Sequence, residues 1–138
     1  MKKIENFCNC LAVLAKADFS LARENEIYRT GIIGEFNLTF ELAWKALKAI
    51  LEKDGVQGSE TGSARDILKL AFRVGFLKEE QVWILMLKKR NLATHIYNEE
   101  EIEEMVLLIR ESFLPAFERL KELFLRKQEE IEKDEQGL

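Results

Sequence analysis

The sequence predicts an all-α protein, folded as an up-and-down bundle of four long helices plus one short helix. Only one proline and seven glycines occur in 138 residues, so little interrupts regular helices. Apolar residues recur at spacings of three and four, the period of a helix with one buried face. Hydrophobic residues make up 47% of the chain, which is enough for a core without disulfides or a structural metal. The length predicts one domain over residues 1–138.

The first two helices are predicted from apolar stripes. The stripe that begins with Ile4 and Phe7 predicts a helix over residues 2–26. The stripe that includes Phe36 predicts a second helix over residues 30–53. Both are long enough to form bundle helices.

A loop and a short helix are predicted next. Three glycines within residues 54–62 indicate a flexible loop. Ser63 is a good N-cap for a short helix over residues 64–74, and Gly75 stands where a helix ends in a left-handed residue.

The C-terminal third is predicted to hold two more helices. Residues 78–80 open a fourth helix, and Asn98 caps the last one, which runs from residue 99 into the 120s. Pro115 lies inside that last helix and predicts a kink, because proline removes a backbone hydrogen bond. The charged tail after about residue 128 is expected to fray.

Charge and composition narrow the function classes. The net charge of −4 argues against a general nucleic-acid coat protein. Residues 1–98 carry 15 basic and 12 acidic residues, and residues 99–138 carry 6 and 13, so an acidic C-terminal helix follows a mildly basic body. No apolar run approaches the ~18 residues that span a bilayer, and no signal peptide precedes the first helix. We therefore expect a cytoplasmic protein without a membrane partner.

The two cysteines predict no special chemistry. Cys8 and Cys10 diverge by about 200° on a helix. Two cysteines and one histidine are too few for a four-ligand zinc site. Reduced, idle thiols are expected, with no metal and no cofactor.

The segment from Arg90 to Tyr97 carries the candidate chemistry. It contains His95, the only histidine in the chain, together with Asn91. An arginine binds phosphate oxygens with a fixed fork, and a histidine exchanges a proton near neutral pH. Together they suit RNA cleavage, in which a base takes the 2′-hydroxyl proton and an acid protonates the leaving 5′-oxygen.

The spacing leaves alternatives open. On an ideal helix Arg90 and His95 are about 140° apart, so convergence needs the reach of arginine, a distorted helix end or a partner subunit. Two proton transfers with one histidine favour a two-fold dimer. Alternatively, His95 and Arg90 only cap a helix C-terminus and Tyr97 packs against a neighbouring helix.

At these residues the chain resembles the HepT-type HEPN proteins, also known as nucleotidyltransferase substrate-binding proteins. Their R-x4-H-x-Y motif matches Arg90, His95 and Tyr97. Residues 40–48 resemble the second-helix signature of that family, and residues 63–72 resemble its short-helix segment. The resemblance covers roughly residues 5 to 125.

The resemblance implies a helical homodimer that acts as a metal-independent ribonuclease toxin on RNA. Arg90 and His95 would be catalytic and Asn91 would give polar support. A partner, an MNT-type minimal nucleotidyltransferase, would act as antitoxin by transferring AMP from ATP to Tyr97. The family's older name implies an alternative, a non-catalytic substrate-binding or docking subunit of a nucleotidyltransferase. A helical dimer without chemistry is the third possibility.

Overall fold

The computed structural model describes residues 1–92 and 98–137, with residues 91 and 92 described by their backbone only. This part of the chain is helical without strands, which confirms the all-α bundle. The helices are α1 (Lys2–Ala15), α2 (Phe19–Ala22), α3 (Glu26–Lys53), α4 (Ala64–Arg73), α5 (Glu80–Leu92), α6 (Glu99–Leu108) and α7 (Leu114–Gln136), and a π-helical turn (Ile109–Phe113) joins α6 to α7.

The first helix is shorter than its apolar stripe predicts. It ends at Ala15, and a separate α2 follows, so the prediction of one helix over residues 2–26 is wrong. The cause is Asp18, whose Oδ1 accepts the backbone N–H groups of Ser20 and Leu21 at 3.0 and 3.1 Å. This cap starts a new helix after a break. Asn25 then caps α3, which begins four residues earlier than predicted.

The short helix follows the prediction closely. The Ser63 hydroxyl accepts the Asp66 N–H at 3.3 Å, and Gly75 adopts a left-handed φ of 84° just past the helix end. The loop before α4 is tied to α3, because the Lys48 ammonium donates to the carbonyl oxygens of Glu60 and Thr61.

A π-helical turn directly precedes Pro115, where the sequence predicts a kinked last helix. The backbone N–H of Leu114 donates to the carbonyl of Ile109, five residues earlier, which places Pro115 in the first turn of α7. The missing N–H of proline is harmless at a helix start. The charged tail continues α7 as far as Gln136. Side-chain pairs such as Gln128 with Glu132, at 3.3 Å, support this extension.

The core surrounds α3 and is rich in aromatic residues. The Phe36 and Phe113 rings stack with centroids 5.0 Å apart, and Phe117 meets Trp83 edge-on at 5.6 Å. All four side chains are at most 1% exposed. Each such burial contributes about 1.5–3 kcal/mol, so this cluster fixes α3, α5 and α7 relative to one another. None of the described helices is both long and apolar enough to span a bilayer.

Candidate active site

Helices α3 and α5 bring Arg90 to a carboxylate. The Nη1 of Arg90 donates to the Oε1 of Glu41 at 2.9 Å. These residues lie 49 positions apart in sequence, so the pair is a product of the fold. Buried Trp83 packs α5 into the core, and this packing holds the helix that carries Arg90 in place.

Glu41 has partners on both carboxylate oxygens. Its Oε2 accepts the indole N–H of Trp44 at 2.8 Å and lies 3.9 Å from the Lys45 ammonium. A carboxylate held at both oxygens has few rotamers left, so it presents a fixed acceptor to Arg90. The arginine is therefore oriented before any ligand arrives.

Phe40 forms the floor beneath the arginine. The guanidinium carbon of Arg90 lies 5.4 Å from the centre of the Phe40 ring, which is fully buried. A cation over an aromatic face gains about 0.5–1 kcal/mol and keeps its plane. The Arg90 side chain remains 24% exposed, so solvent still reaches this oriented cation.

The arrangement suits an anionic ligand. Arg90 and Lys45 supply two positive groups beside one carboxylate. The planar guanidinium of Arg90 can bind a phosphate bidentately. A phosphate that approached Arg90 would meet a preset donor plane, with little reorganisation.

The structure describes only some of the predicted site residues. Arg90 lies in the last turn of α5, and the backbone of Asn91 continues that helix. His95 and Tyr97 lie outside the described residues, and with them the predicted meeting of Arg90 and His95. Beyond them, Asn98 caps α6 as predicted, because its Oδ1 accepts the Glu101 N–H at 2.8 Å.

The sequence reasoning missed Glu41 as a partner of Arg90. Glu41 stands within residues 40–48, the segment that resembles the second-helix signature, but no role was assigned to it. The available signal was its place beside buried Phe40 and three residues before Trp44, on a helix that packs against α5. A carboxylate next to the core needs a partner, and a cation from another helix is the usual one.

The two thiols are free, as predicted, and they lie on α1, outside this site. The Cys10 Sγ lies 3.1 Å from Glu35 Oε1 and 3.2 Å from Thr39 Oγ1. Burial raises the pKa of Cys10 to about 11, and the neighbouring Glu35 carboxylate adds to the rise. Burial also raises the pKa of Cys8. Neither thiol is activated as a nucleophile.

Known proteins resemble this chain over most of its length. A family model described as nucleotidyltransferase substrate binding protein like matches residues 2–126. A protein of Haemophilus influenzae named probable ribonuclease HepT is 27% identical over 100 residues, which cover 71% of this chain and 68% of that protein.

Two solved structures share the fold. A Haemophilus influenzae protein, described as revealing the fold of a substrate binding domain of a nucleotidyltransferase, superposes with a TM-score of 0.74 at 22% identity. The match covers 88% of this chain and 98% of that one. A protein of Thermus thermophilus superposes with a TM-score of 0.68 at 31% identity, over 88% and 97% of the two chains. The chain belongs to the nucleotidyltransferase substrate binding protein like family, in agreement with its HepT-type resemblance.

Proposed function

We propose that this chain is a metal-independent endoribonuclease toxin of a toxin–antitoxin pair, with Arg90 and His95 as catalytic residues and Asn91 as polar support. The observation that carries the proposal is that Glu41 orients Arg90. Arg90 stands five residues before His95, the only histidine in the sequence. The relative named probable ribonuclease HepT supports the same reaction class.

The proposed reaction needs two imidazoles, one as base and one as acid, and the guanidinium of Arg90. A neutral imidazole takes the 2′-hydroxyl proton, and the 2′-oxygen attacks the adjacent phosphorus. The bond from phosphorus to the 5′-oxygen breaks, and an imidazolium gives that oxygen its proton. The products are a 2′,3′-cyclic phosphate and a 5′-hydroxyl. The oriented guanidinium of Arg90 stabilises the charge that grows on the phosphoryl oxygens.

A homodimer would supply the second imidazole, and α3 offers a face for it. Gly31 and Gly34 are exposed on α3, and in the described part of the chain no neighbouring atom lies within 4 Å of a Cβ added at either glycine. Ile27 is 86% exposed and Leu38 51% exposed on the same helical stripe. The next position along that stripe is Glu41, the partner of Arg90. A second copy on this stripe would therefore lie beside both candidate sites.

The dimer face has a direct test. Leu38→Glu places a charge on the stripe and should convert the dimer to a monomer in sedimentation, with loss of cleavage. Leu125→Glu changes an equally exposed leucine on α7, which is 47% exposed, and should leave both properties unchanged. A Leu38→Glu protein that stays dimeric and active contradicts this dimer.

Tyr97 is proposed as the acceptor of AMP from a partner MNT-type minimal nucleotidyltransferase. The phenolic oxygen attacks the α-phosphorus of ATP, pyrophosphate leaves, and the phenolic proton passes to a base. The added phosphodiester brings negative charge near Arg90 and repels RNA. Intact mass after co-expression should rise by one AMP, and Tyr97→Phe should abolish the rise. If the wild-type chain stays unmodified while the co-expressed nucleotidyltransferase still prevents its toxicity, regulation by AMP transfer to Tyr97 is contradicted.

The test of the ribonuclease itself is His95→Ala. The variant should lose RNA cleavage and growth arrest, while its circular dichroism and unfolding midpoint match those of the wild type. Cleavage that persists in the folded variant contradicts the proposal.

The second candidate is a non-catalytic substrate-binding or docking subunit of a nucleotidyltransferase. The family description and the relative described as a substrate binding domain favour it. It predicts a stable complex with the nucleotidyltransferase and no RNA cleavage by the isolated, AMP-free chain.

A further inference from the structure

A cavity of about 340 Å³ lies between α2, the start of α3 and α6. It is a different place from the Arg90 site, and neither Arg90 nor Glu41 lines it. Its size is at the lower end of the range for small-molecule sites, about 300–1,000 Å³. Its lining residues are Phe19, Ala22, Arg23, Arg29, Glu103, Val106, Leu107 and Arg110.

Three arginines meet at this cavity. Arg29 is 3% exposed and is fixed by the carbonyls of Ala22 and Arg23, at 2.9 and 3.0 Å, and by Glu99 at 2.8 Å. Its buried Nε has no acceptor in residues 1–92 and 98–137. This Nε is closed to solvent, so Arg29 forms part of the cavity wall and a ligand would meet the other two arginines.

The other two arginines are at the mouth. Arg23 is exposed and forms no ion pair with the described part of the chain. Arg110 lies in the π-helical turn and pairs with Glu111 at 2.9 Å, with both side chains well exposed. Such an exposed pair is worth little, so a phosphate can replace Glu111 as the partner. π-helical turns occur often at functional sites, because they redirect side chains.

The rest of the cavity lining is apolar on one side and carries a carboxylate at the rim. Phe19 and Leu107 give an apolar surface that is partly open to solvent, suited to the face of a base. Glu103 is exposed at the rim, where its carboxylate can accept hydrogen bonds from ribose hydroxyls or a base amino group. A simple inorganic anion would use neither of these features.

From this geometry we propose that the cavity is a second, nucleotide-binding site, which binds one nucleoside monophosphate unit. Arg23 and Arg110 contact the phosphate, the apolar wall contacts the base, and Glu103 contacts a hydroxyl or amino group. The unit is either a free nucleotide or one residue of single-stranded RNA. The site does not depend on the chemistry at Arg90.

Calorimetric titration of the full chain with AMP, and separately with a short single-stranded RNA whose 2′-hydroxyls are methylated so that it cannot be cleaved by the proposed reaction, tests the site. Wild-type protein should bind at least one of the two saturably. Arg23→Ala/Arg110→Ala should weaken that binding at least about tenfold, since each variant position loses a charge-assisted hydrogen bond to the phosphate. The matched control Arg126→Ala/Lys133→Ala removes the same charge from α7 and should bind as wild type.

The pattern of binding identifies the source of the nucleotide. AMP binding alone assigns a free nucleotide, RNA binding alone assigns a residue of RNA, and both support the site with either source. The proposal is overturned if neither probe binds saturably. It is also overturned if the control Arg126→Ala/Lys133→Ala loses as much affinity as Arg23→Ala/Arg110→Ala. Binding that Arg90→Ala abolishes, and that Arg23→Ala/Arg110→Ala leaves intact, also overturns it. Loss of cleavage in His95→Ala reports on the ribonuclease proposal separately.

Discussion

Helix α3 contributes to the placement of two arginines that differ in their surroundings. Arg29, at its N-terminal end, is 3% exposed and bound to two carbonyls and Glu99. Arg90 meets the middle of α3, is 24% exposed, and is oriented by Glu41 over the face of Phe40. The first side chain ties α2 and α6 to α3, and the second presents an oriented cation to solvent. Arg90 therefore combines a fixed orientation with access to solvent, whereas Arg29 is oriented but buried.

The largest expected effect is on cleavage, from Arg90→Ala. Loss of a preorganised charge should lower kcat for RNA about 10²–10³-fold. The free energy of unfolding should fall by less than about 1.5 kcal/mol, because the pair with Glu41 is partly solvated. Rapid-quench cleavage assays and urea unfolding measure the two. Lys88→Ala, which removes an exposed cation two residues earlier and on nearly the opposite side of α5, should change neither. A similar loss of cleavage in Lys88→Ala would contradict a special role for Arg90.

Next in size is the effect of Arg29→Met on stability. The substitution leaves the carbonyls of Ala22 and Arg23 without their donor and removes the tie to Glu99. The free energy of unfolding should fall by about 2–4 kcal/mol. Urea denaturation measures it, with Arg126→Met as an exposed control within about 0.5 kcal/mol of wild type. A loss below about 1 kcal/mol would show that Arg29 does not hold these elements together.

Glu41→Gln should produce a smaller change at the site. The amide can still accept from Trp44, but it no longer pairs as a charge with Arg90. We expect kcat to fall about tenfold with KM unchanged, as for other groups that orient a functional side chain. Steady-state cleavage kinetics measure this, and Glu52→Gln on the same helix is the control. An unchanged kcat would mean that the charge of Glu41 does not orient the arginine.

The last prediction concerns Cys10, which lies on α1, and its effect is nearly absent at neutral pH. Its folded-state pKa is raised to about 11, above the ordinary value of 9.0. Between pH 9 and 11 the unfolded chain loses this proton first, so stability falls as pH rises, with a slope of at most about 1.4 kcal/mol per pH unit. Cys10→Ala should show a shallower decline in urea unfolding over that window. Identical slopes would show that Cys10 does not titrate differently on folding.

Helix ends were predictable from the sequence where a single residue determines them. Ser63 and Asn98 cap helices and Gly75 ends one, because each acts on backbone groups within three residues. The apolar stripe hid the break after α1, since Asp18 starts a new helix without interrupting that stripe. The response to Pro115 was also missed, because a π-helical turn depends on how the core holds both sides of the helix.

The candidate site was only partly predictable. Arg90 and His95 stand out by residue type and spacing within eight residues of sequence. Glu41 acquires its role only when α3 packs against α5, 49 positions away, and periodicity does not give the rotation of one helix against another. The cavity between α2, α3 and α6 was not predicted either. Its three arginines come from the end of α2, from α3 and from the π-helical turn, and only the packing of these elements brings them together.

The most direct test of the central claim is the chemistry of the RNA ends made by the purified, AMP-free chain in the presence of a chelator. The account predicts cleavage that yields 2′,3′-cyclic phosphate and 5′-hydroxyl ends, detected by mass spectrometry of the fragments, and no such ends from folded His95→Ala. Intact RNA after incubation with the wild-type chain, or the same ends from His95→Ala, would contradict it.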